Sequence, residues 1–279
     1  MVLVVLEQKP KIVSFAFILI LVRMVNITER HQHILGKLQQ EGQVTVLGLC
    51  EELSVSSVTI RKDLKLLEDK GLLFRTHGGA TQNNPYTIDR PVNEKEHIQI
   101  NEKSRIGQAA AKLIEPNDSI LIASGTTVMA LAKSIQPNTL KNLMVITSAL
   151  NVALELLRHP EVEVMQLGGI LRRSSSSVTG PYAESILADF SCSKLFLGVD
   201  GIDLDFGLTT TNVMEARLNR HMINISQKTI VLADSSKFGK RGFGRIGGFE
   251  DIDHIITDKG ISEHTLNTLQ GMGVKVTIV

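Results

Sequence analysis

Between residues 28 and 71 the apolar positions of this chain keep a helical spacing. Ile34, Leu35 and Leu38 form one side of a predicted helix that Thr28 can cap, that runs to about Glu41 and that Gly42 ends. A short β-branched stretch at 43–46 leads into a second helix over about 47–53, with Leu49, Cys50 and Leu53 inward. A tight turn at 54–56 delivers the chain into a third helix, where Ile60, Leu64 and Leu67 recur at i, i+4 and i+7. Ser56 stands at its N-cap, and Gly71 closes it in the position that tolerates positive φ. The following LLFRTHGGAT reads as a strand, a Gly78-Gly79 turn and a return strand, a hairpin that carries Arg75 and His77.

The rhythm then changes. Residues 82–95 are polar, with Asn83-Asn84-Pro85 and Arg90-Pro91, and read as a linker before a helix over about 95–114. Beyond it, short apolar runs at 119–123, 143–147, 162–167, 195–199, 229–233 and 254–257 are separated mostly by helical patterns, and a last run at 274–279 ends the chain. Strands alternating with helices predict a largely parallel sheet covered on both faces. The polar motifs all follow strands: Ser124-Gly125-Thr126-Thr127, then Thr147-Ser148, Gly168-Gly169 with Arg172-Arg173, Asp200-Gly201-Ile202-Asp203, and Asp234-Ser235-Ser236-Lys237. In an open parallel sheet that edge is where ligands bind, so the motifs converge on one crevice.

An apolar share of 43% over 279 residues is ample for the cores of one or two domains. The net charge of +1 announces no polycation, so any nucleic-acid surface must be a local patch. Cys50 and Cys192, the two cysteines, lack a CxxC spacing and read as buried free thiols in a reducing cytoplasm, with neither zinc nor a disulfide expected. An apolar run at 12–22 is eleven residues long, short of the ~20 that cross a bilayer as a helix. No small-residue cleavage site follows it, and translation is expected to start at Met24, leaving 1–23 outside the fold. A membrane anchor and a signal sequence are the alternatives.

The third helix has a basic side. Arg61, Lys62 and Lys65 fall within an arc of about 100° roughly opposite the apolar stripe, behind a first turn bearing Ser57 and Thr59. A DNA recognition helix sets its N-terminal residues against base edges in this way, although a basic outer face is also the common form of solvated surface. Val58 shares the arc, either as an apolar contact to a thymine methyl or packed beneath the hairpin. In the crevice, Ser124 to Thr127 join a strand to a helix that begins near Thr127, and the unpaired amides and hydroxyls there suit a phosphate or carboxylate. Asp200 and Asp203 can accept hydrogen bonds from sugar hydroxyls, hold a metal or act as a base, and metal is disfavoured because cations share the crevice. Lys237 neutralises a phosphate, pairs with Asp200 or lies on an exposed loop; Glu215 and Arg217, on the helix after Leu208-Thr209-Thr210-Thr211-Asn212, face the ligand or a partner subunit.

The spacing of Arg30, Ile34, Leu38, Gly42 and Val44, then Val55, Ser56, Thr59-Ile60-Arg61, Asp63-Leu64, Leu67-Glu68 and His77-Gly78-Gly79-Ala80, resembles the DeoR/GlpR-type bacterial transcriptional repressors. Lys62 departs from the arginine expected there and loses the forked geometry for a guanine edge. The resemblance implies an N-terminal winged helix-turn-helix, mainly α with a β wing, over 24–81. A linker at 82–95 would join it to an α/β Rossmann-like, largely parallel-sheet effector domain over 96–279. It implies operator DNA as partner, met by Ser56, Ser57, Val58, Thr59, Arg61, Lys62, Lys65, Arg75 and His77. It also implies a phosphorylated sugar as effector, met by Ser124, Gly125, Thr126, Thr127, Thr147, Ser148, Gly168, Gly169, Arg172, Asp200, Gly201, Asp203, Glu215 and Lys237. A cytoplasmic homodimer or homotetramer acting in carbohydrate metabolism follows, with no cofactor, no metal and no stable membrane association. The effector domain is similar in fold to ribose-5-phosphate isomerase, but Asp200-Gly201-Ile202-Asp203 lacks the lysine-glycine-rich strand that follows the acidic loop of that enzyme. The resemblance thus implies binding without catalysis; the alternative is a sugar-phosphate isomerase or hydrolase with an accessory DNA-binding domain.

Overall fold

The structure is a computed structural model that describes residues 26–70, 72–76, 78–81, 91–136 and 141–279. The apolar run at 12–22, Met24, Gly71 and His77 lie outside the described residues. The chain divides into two compact units, 1–83 and 84–279.

In the first unit α1 (Ile27–Glu41), β1 (Gln43–Thr45), α2 (Val46–Leu53) and α3 (Ser57–Asp69) precede a hairpin of β2 (Phe74–Thr76) and β3 (Gly79–Thr81). The strand order β1-β3-β2, antiparallel throughout, makes a three-stranded wing. The cap of α1 is Asn26 rather than Thr28: Asn26 is extended, and its Oδ1 accepts the Glu29 amide at 2.9 Å, so the helix starts a residue ahead of Thr28. Gly42 ends α1 at φ 73° with its N–H on the Leu38 carbonyl. Ser56 caps α3 as expected, its Oγ accepting the Thr59 amide at 3.2 Å. Ile34, Leu38, Leu49, Leu53, Ile60, Leu64 and Leu67 close the core; Cys50 packs against it half-buried. Each fully buried leucine or isoleucine contributes on the order of 1.5–3 kcal/mol.

The second unit begins earlier than the polar composition suggests. Residues 92–95, expected within the linker, belong to α4 (Val92–Glu96), and the single helix expected over 95–114 is split between α4 and α5 (Ile100–Ala111). The break lies at Gln99, which adopts a left-handed φ of 54° that a continuing helix cannot hold. From there the chain runs β4 (Ser119–Ile122), α6 (Thr126–Ser134), β5 (Leu143–Thr147), α7 (Leu150–Leu156) and β6 (Val162–Gln166). A hairpin of β7 (Ile170–Arg172) and β8 (Ser177–Thr179) follows, then α8 (Pro181–Leu187), β9 (Lys194–Gly198), β10 (Gly201–Asp203), β11 (Gly207–Thr210) and α9 (Val213–Asn224). The chain finishes with β12 (Thr229–Leu232), β13 (Gly244–Gly247), β14 (His254–Thr257), α10 (Glu263–Gly271) and β15 (Lys275–Ile278).

Seven of these strands form one wholly parallel sheet in the order β15-β14-β12-β9-β4-β5-β6, matching the seven apolar runs. Successive β4 side chains enter opposite layers: Ile120 and Ile122 pack in one, Leu121 in the other. Beside this sheet, β10, β11 and β13 make a small antiparallel sheet that the apolar runs did not predict. Helices α5 and α6 meet at Gly107, where an added Cβ would come within 2.5 Å of the Ala130 backbone. Only a residue without a side chain permits that approach.

Candidate DNA-contact face and effector pocket

On α3 the apolar stripe is buried and Arg61, Lys62 and Lys65 are exposed, as the periodicity predicts. Arg61 reaches back to Ser57 Oγ at 3.4 Å, and Lys65 pairs with Asp69 one turn on at 2.7 Å. Val58 is 59% exposed, so the reading that packs it beneath the wing is corrected: its methyls face solvent with the cations. Ser56 is exposed, and Ser57 and Thr59 are half-exposed. Arg75 turns toward α3, with its amide donating to Glu68 Oε1 at 2.9 Å and its guanidinium 3.9 Å from Glu68 Oε2. What the residue pattern missed is Asp63. It lies in the apolar stripe, 2% exposed, and accepts from Arg30 Nε, from Arg30 Nη2 at 3.0 Å and from the His31 ring at 3.2 Å. A carboxylate three residues after Ile60 and one before Leu64 was the available signal.

In the second unit the strand ends build a pocket. Gly125, at φ 131°, turns the chain from β4 into α6, which starts at Thr126 and leaves its first amides facing the opening. Across from it Asp200 accepts Lys95 Nζ at 2.8 Å on one oxygen, and Thr210 Oγ1 at 3.0 Å and the Thr211 amide at 3.2 Å on the other. Burial pushes the Asp200 pKa up, but the charges of Lys95 and Lys237 with those hydrogen bonds outweigh it and bring it down to about 2. Glu215, near the start of α9, accepts Ser124 Oγ at 2.6 Å and is paired with Arg172; burial pushes its pKa up from the ordinary glutamate value, and the Ser124 hydrogen bond and the Arg172 charge oppose that. Arg172 also reaches Ser174 and Ser175 on the turn of the β7–β8 hairpin. Lys237 stands on a 3-10 turn that Asp234 caps, and its ammonium has no hydrogen bond or ion pair among the described residues.

Ser124, Gly125, Thr126, Thr127, Asp200, Glu215 and Lys237 therefore line one pocket, and Arg172 reaches it through Glu215. The other expected residues do not line it. Thr147 is fully buried and spends its hydroxyl on the Ile122 carbonyl at 2.7 Å, while the Ser148 carbonyl ties to Val178 at 2.9 Å. Gly169 lets β7 pass the Thr179 carbonyl, which a Cβ would approach to 2.8 Å; Gly168 immediately precedes it. Gly201 packs against the Lys240 carbonyl in the same sense, at 2.4 Å from a built Cβ. Asp203 is not the partner of Asp200: it pairs with Arg241 at 2.7 Å and takes the Asp205 and Phe206 amides at the β10–β11 turn. The carboxylate that joins Asp200 is Glu215. Lys95, Thr210, Ser174 and Ser175 were missed, Lys95 because polar composition placed it in a linker. Among the described residues no cluster of His, Cys, Asp or Glu could hold a metal ion, and no helix is long and apolar enough to cross a membrane.

A winged helix-turn-helix with an exposed cationic side on its third helix, carried on the same chain as an α/β unit with a polar pocket at its strand ends, defines a ligand-responsive DNA-binding regulator. Residues 30–86 match the DeoR-like helix-turn-helix domain and residues 98–259 the DeoR C-terminal sensor domain. The chain belongs to the DeoR family of transcriptional regulators. It is 38% identical over 259 residues to a protein of Escherichia coli O157:H7 named provisionally as the repressor of an aga operon, covering 92% of this chain and 96% of that one. With the glycerol-3-phosphate regulon repressor of Escherichia coli K12 it shares 32% over 231 residues, 83% of this chain and 90% of the relative. Family and relatives are regulators, so the acidic loop serves a regulator rather than an enzyme. Among solved structures, a D-ribose-5-phosphate isomerase in complex with phospho-erythronic acid matches at TM-score 0.37 and 15% identity, over 49% of this chain and 52% of that one. The full-length sorbitol operon regulator SorC from Klebsiella pneumoniae matches at 0.35 and 12%, over 76% and 89%. Likenesses so slight bear on neither site.

Proposed function

We propose that this regulator is a cytoplasmic repressor of a carbohydrate operon whose grip on its operator is changed by a phosphorylated sugar in the pocket of the second unit. The single observation that carries the effector class is the division of the pocket's polar groups. At one side, the α6 amides, the Thr126 and Thr127 hydroxyls and the Lys237 ammonium, which makes no hydrogen bond or ion pair among the described residues, suit a dianion. At the other, Asp200 and Glu215 are acceptors suited to hydroxyl groups. A ligand with a phosphate at one end and hydroxyls along its length fits both. That a relative is named for a glycerol-3-phosphate regulon supports the class without choosing the member.

On the DNA side, Arg61 and Lys62 contact base edges and phosphates, Val58 meets a thymine methyl, and Lys65, Ser56, Ser57 and Thr59 position the helix in the major groove. Arg75 and His77 extend the contact through the wing. One such module is weak, so the working species is a homodimer or homotetramer on paired half-sites.

The test is binding to a labelled fragment from upstream of the protein's own gene neighbourhood, at fixed salt with excess nonspecific competitor. Sugar phosphates and their unphosphorylated sugars are titrated in. The expected result is saturable binding altered by one sugar phosphate and untouched by its free sugar. Equal responses to both would overturn the phosphate assignment.

A further inference from the structure

The exposed apolar side chains of the second unit gather on one side of it. Leu150, Leu154 and Leu157 recur at i, i+4 and i+7 on the outer side of α7 and its cap, while Val152 and Leu156 are buried on the inner side. Ile170 and Leu171 stand on β7 and Tyr182 in the first turn of α8; all six are between 41% and 75% exposed. The three elements adjoin. The Leu150 amide donates to the Ser176 carbonyl and the Val178 amide to the Ser148 carbonyl, both at 2.9 Å, and Ile170 Cδ1 lies 3.4 Å from where a Cβ on Gly180 would stand. Nearby charges are already matched within the chain, Arg158 with Glu155 at 3.5 Å and Arg217 with Glu184 at 2.8 Å, so the face suits an apolar partner rather than an oppositely charged one.

The hairpin inside this face is lopsided. Strand β8 is buried along its length and tied to α7, whereas β7 has β8 as its one strand neighbour among the described residues. A hairpin of two short strands is marginal by itself. Yet β7 is the strand that ends in Arg172, the partner of Glu215 at the pocket.

We propose that this face is where a second copy of the chain docks about a two-fold axis, and that the docked copy holds β7, and with it Arg172, in place at the pocket. Two observations choose a second copy as the occupant. The six side chains leave on the order of 700 Å² open, close to the ~800 Å² that each partner contributes to a stable pair and more than a lone soluble chain commonly exposes in one patch. An open strand edge within an apolar face is also self-complementary, since a two-fold axis sets β7 antiparallel to its own copy. The inference deepens the reading of paired half-sites given above by adding a location and a consequence. Pocket and interface share one strand, so separating the copies loosens the pocket, and a ligand that engages Arg172 favours the pair.

Full-length wild type is compared with Leu154→Glu and Leu171→Glu, and with Ile278→Glu as a control on β15 at the opposite edge of the sheet from β6. Sedimentation velocity gives the mass, hydrogen exchange follows the 170–172 amides, and calorimetry follows ribose 5-phosphate, glycerol 3-phosphate and inorganic phosphate. Both interface variants are expected at half the wild-type mass with unchanged circular dichroism, and the control at the wild-type mass. Wild type diluted until it dissociates is expected to exchange the 170–172 amides at least fivefold faster, a readout that needs no substitution. Whichever probe binds wild type binds the half-mass variants at least fivefold more weakly. Wild-type mass in both variants, or exchange at 170–172 that ignores dissociation, overturns this interface and leaves the oligomer to another surface. A wild type that is monomeric throughout overturns the oligomer itself, and the interface falls with it. Equal probe affinity in the half-mass variants overturns the hold on Arg172. Failure of all three probes to bind wild type overturns the phosphate reading of the pocket, while masses and exchange still decide the interface.

Discussion

On α3, Lys65 is 57% exposed and its one partner, Asp69, is nearly as open; in the pocket, Arg172 is 12% exposed and Glu215, which faces it, 13%. Water screens the first pair, so the helix can present its charge until a polyanion arrives and releases counterions. The second pair is withdrawn from water, where an unmatched charge is costly, so each member serves as the other's counter-ion. A ligand group that engages Arg172 or Glu215 must therefore displace an internal partner, whereas a polyanion on α3 meets side chains already open to solvent and salt. The difference places conformational response in the pocket and plain affinity on the helix.

The sharpest way to break this contrast is beneath α3 itself, where Asp63 is a buried charge in the same element as the exposed ones. Asp63→Ala removes the buried acceptor that Arg30 and His31 share and is expected to destabilise the first unit by about 3–5 kcal/mol in urea denaturation, while Asp69→Ala stays within about 0.5 kcal/mol. Equal costs would erase the distinction. Arg61→Ala should lose about 1–3 kcal/mol of operator binding per subunit in mobility-shift titrations with an unchanged melting midpoint.

Acid titration probes the pocket side. The folded Asp200 pKa of about 2 lies below its ordinary 3.8, so its ionised form contributes about 2 kcal/mol of stability above roughly pH 4. That contribution is lost as pH falls through 2, and Asp200→Asn should flatten the acid limb of the stability curve between those values. Lys65→Ala should reduce the salt slope of operator binding by about one per bound subunit across all sequences. The smallest effect belongs to Val58→Ser, about 1 kcal/mol at a single base pair with no change in folding, read by competition among operator variants.

Much of the fold was legible because burial writes itself into spacing. The runs at 143–147 and 254–257 match β5 and β14 residue for residue, since strands covered on both faces are continuously apolar. The exposed cationic side of α3 was legible for the same reason, being one helix with one period. The pocket was half legible: the sheet rule placed Ser124 to Thr127, Asp200 and Lys237 at one edge, but spacing does not say which side chains turn inward. Asp200 sits on the bend before β10 and Asp203 at the far end of that strand, where Arg241 and the turn amides take it. Thr147 looked like a ligand donor and instead closes a backbone bond. Lys95 was hidden because it reads as ordinary polar surface until its partner, far away in sequence, is known, and Asp63 because its place in the apolar stripe does not name the Arg30 it pairs with.

The order in which the parallel strands are threaded has a genetic consequence. Substitutions that cost this regulator its hold on the operator should cluster within one short interval, from Ser56 to Lys65, with an outlier in the wing. Substitutions that leave that hold intact but deafen it to its metabolite should scatter over widely separated codons, at Lys95, Ser124 to Thr127, Arg172, Asp200, Glu215 and Lys237. A fine-structure map of mutant alleles would thus show one dense hotspot and a sparse constellation.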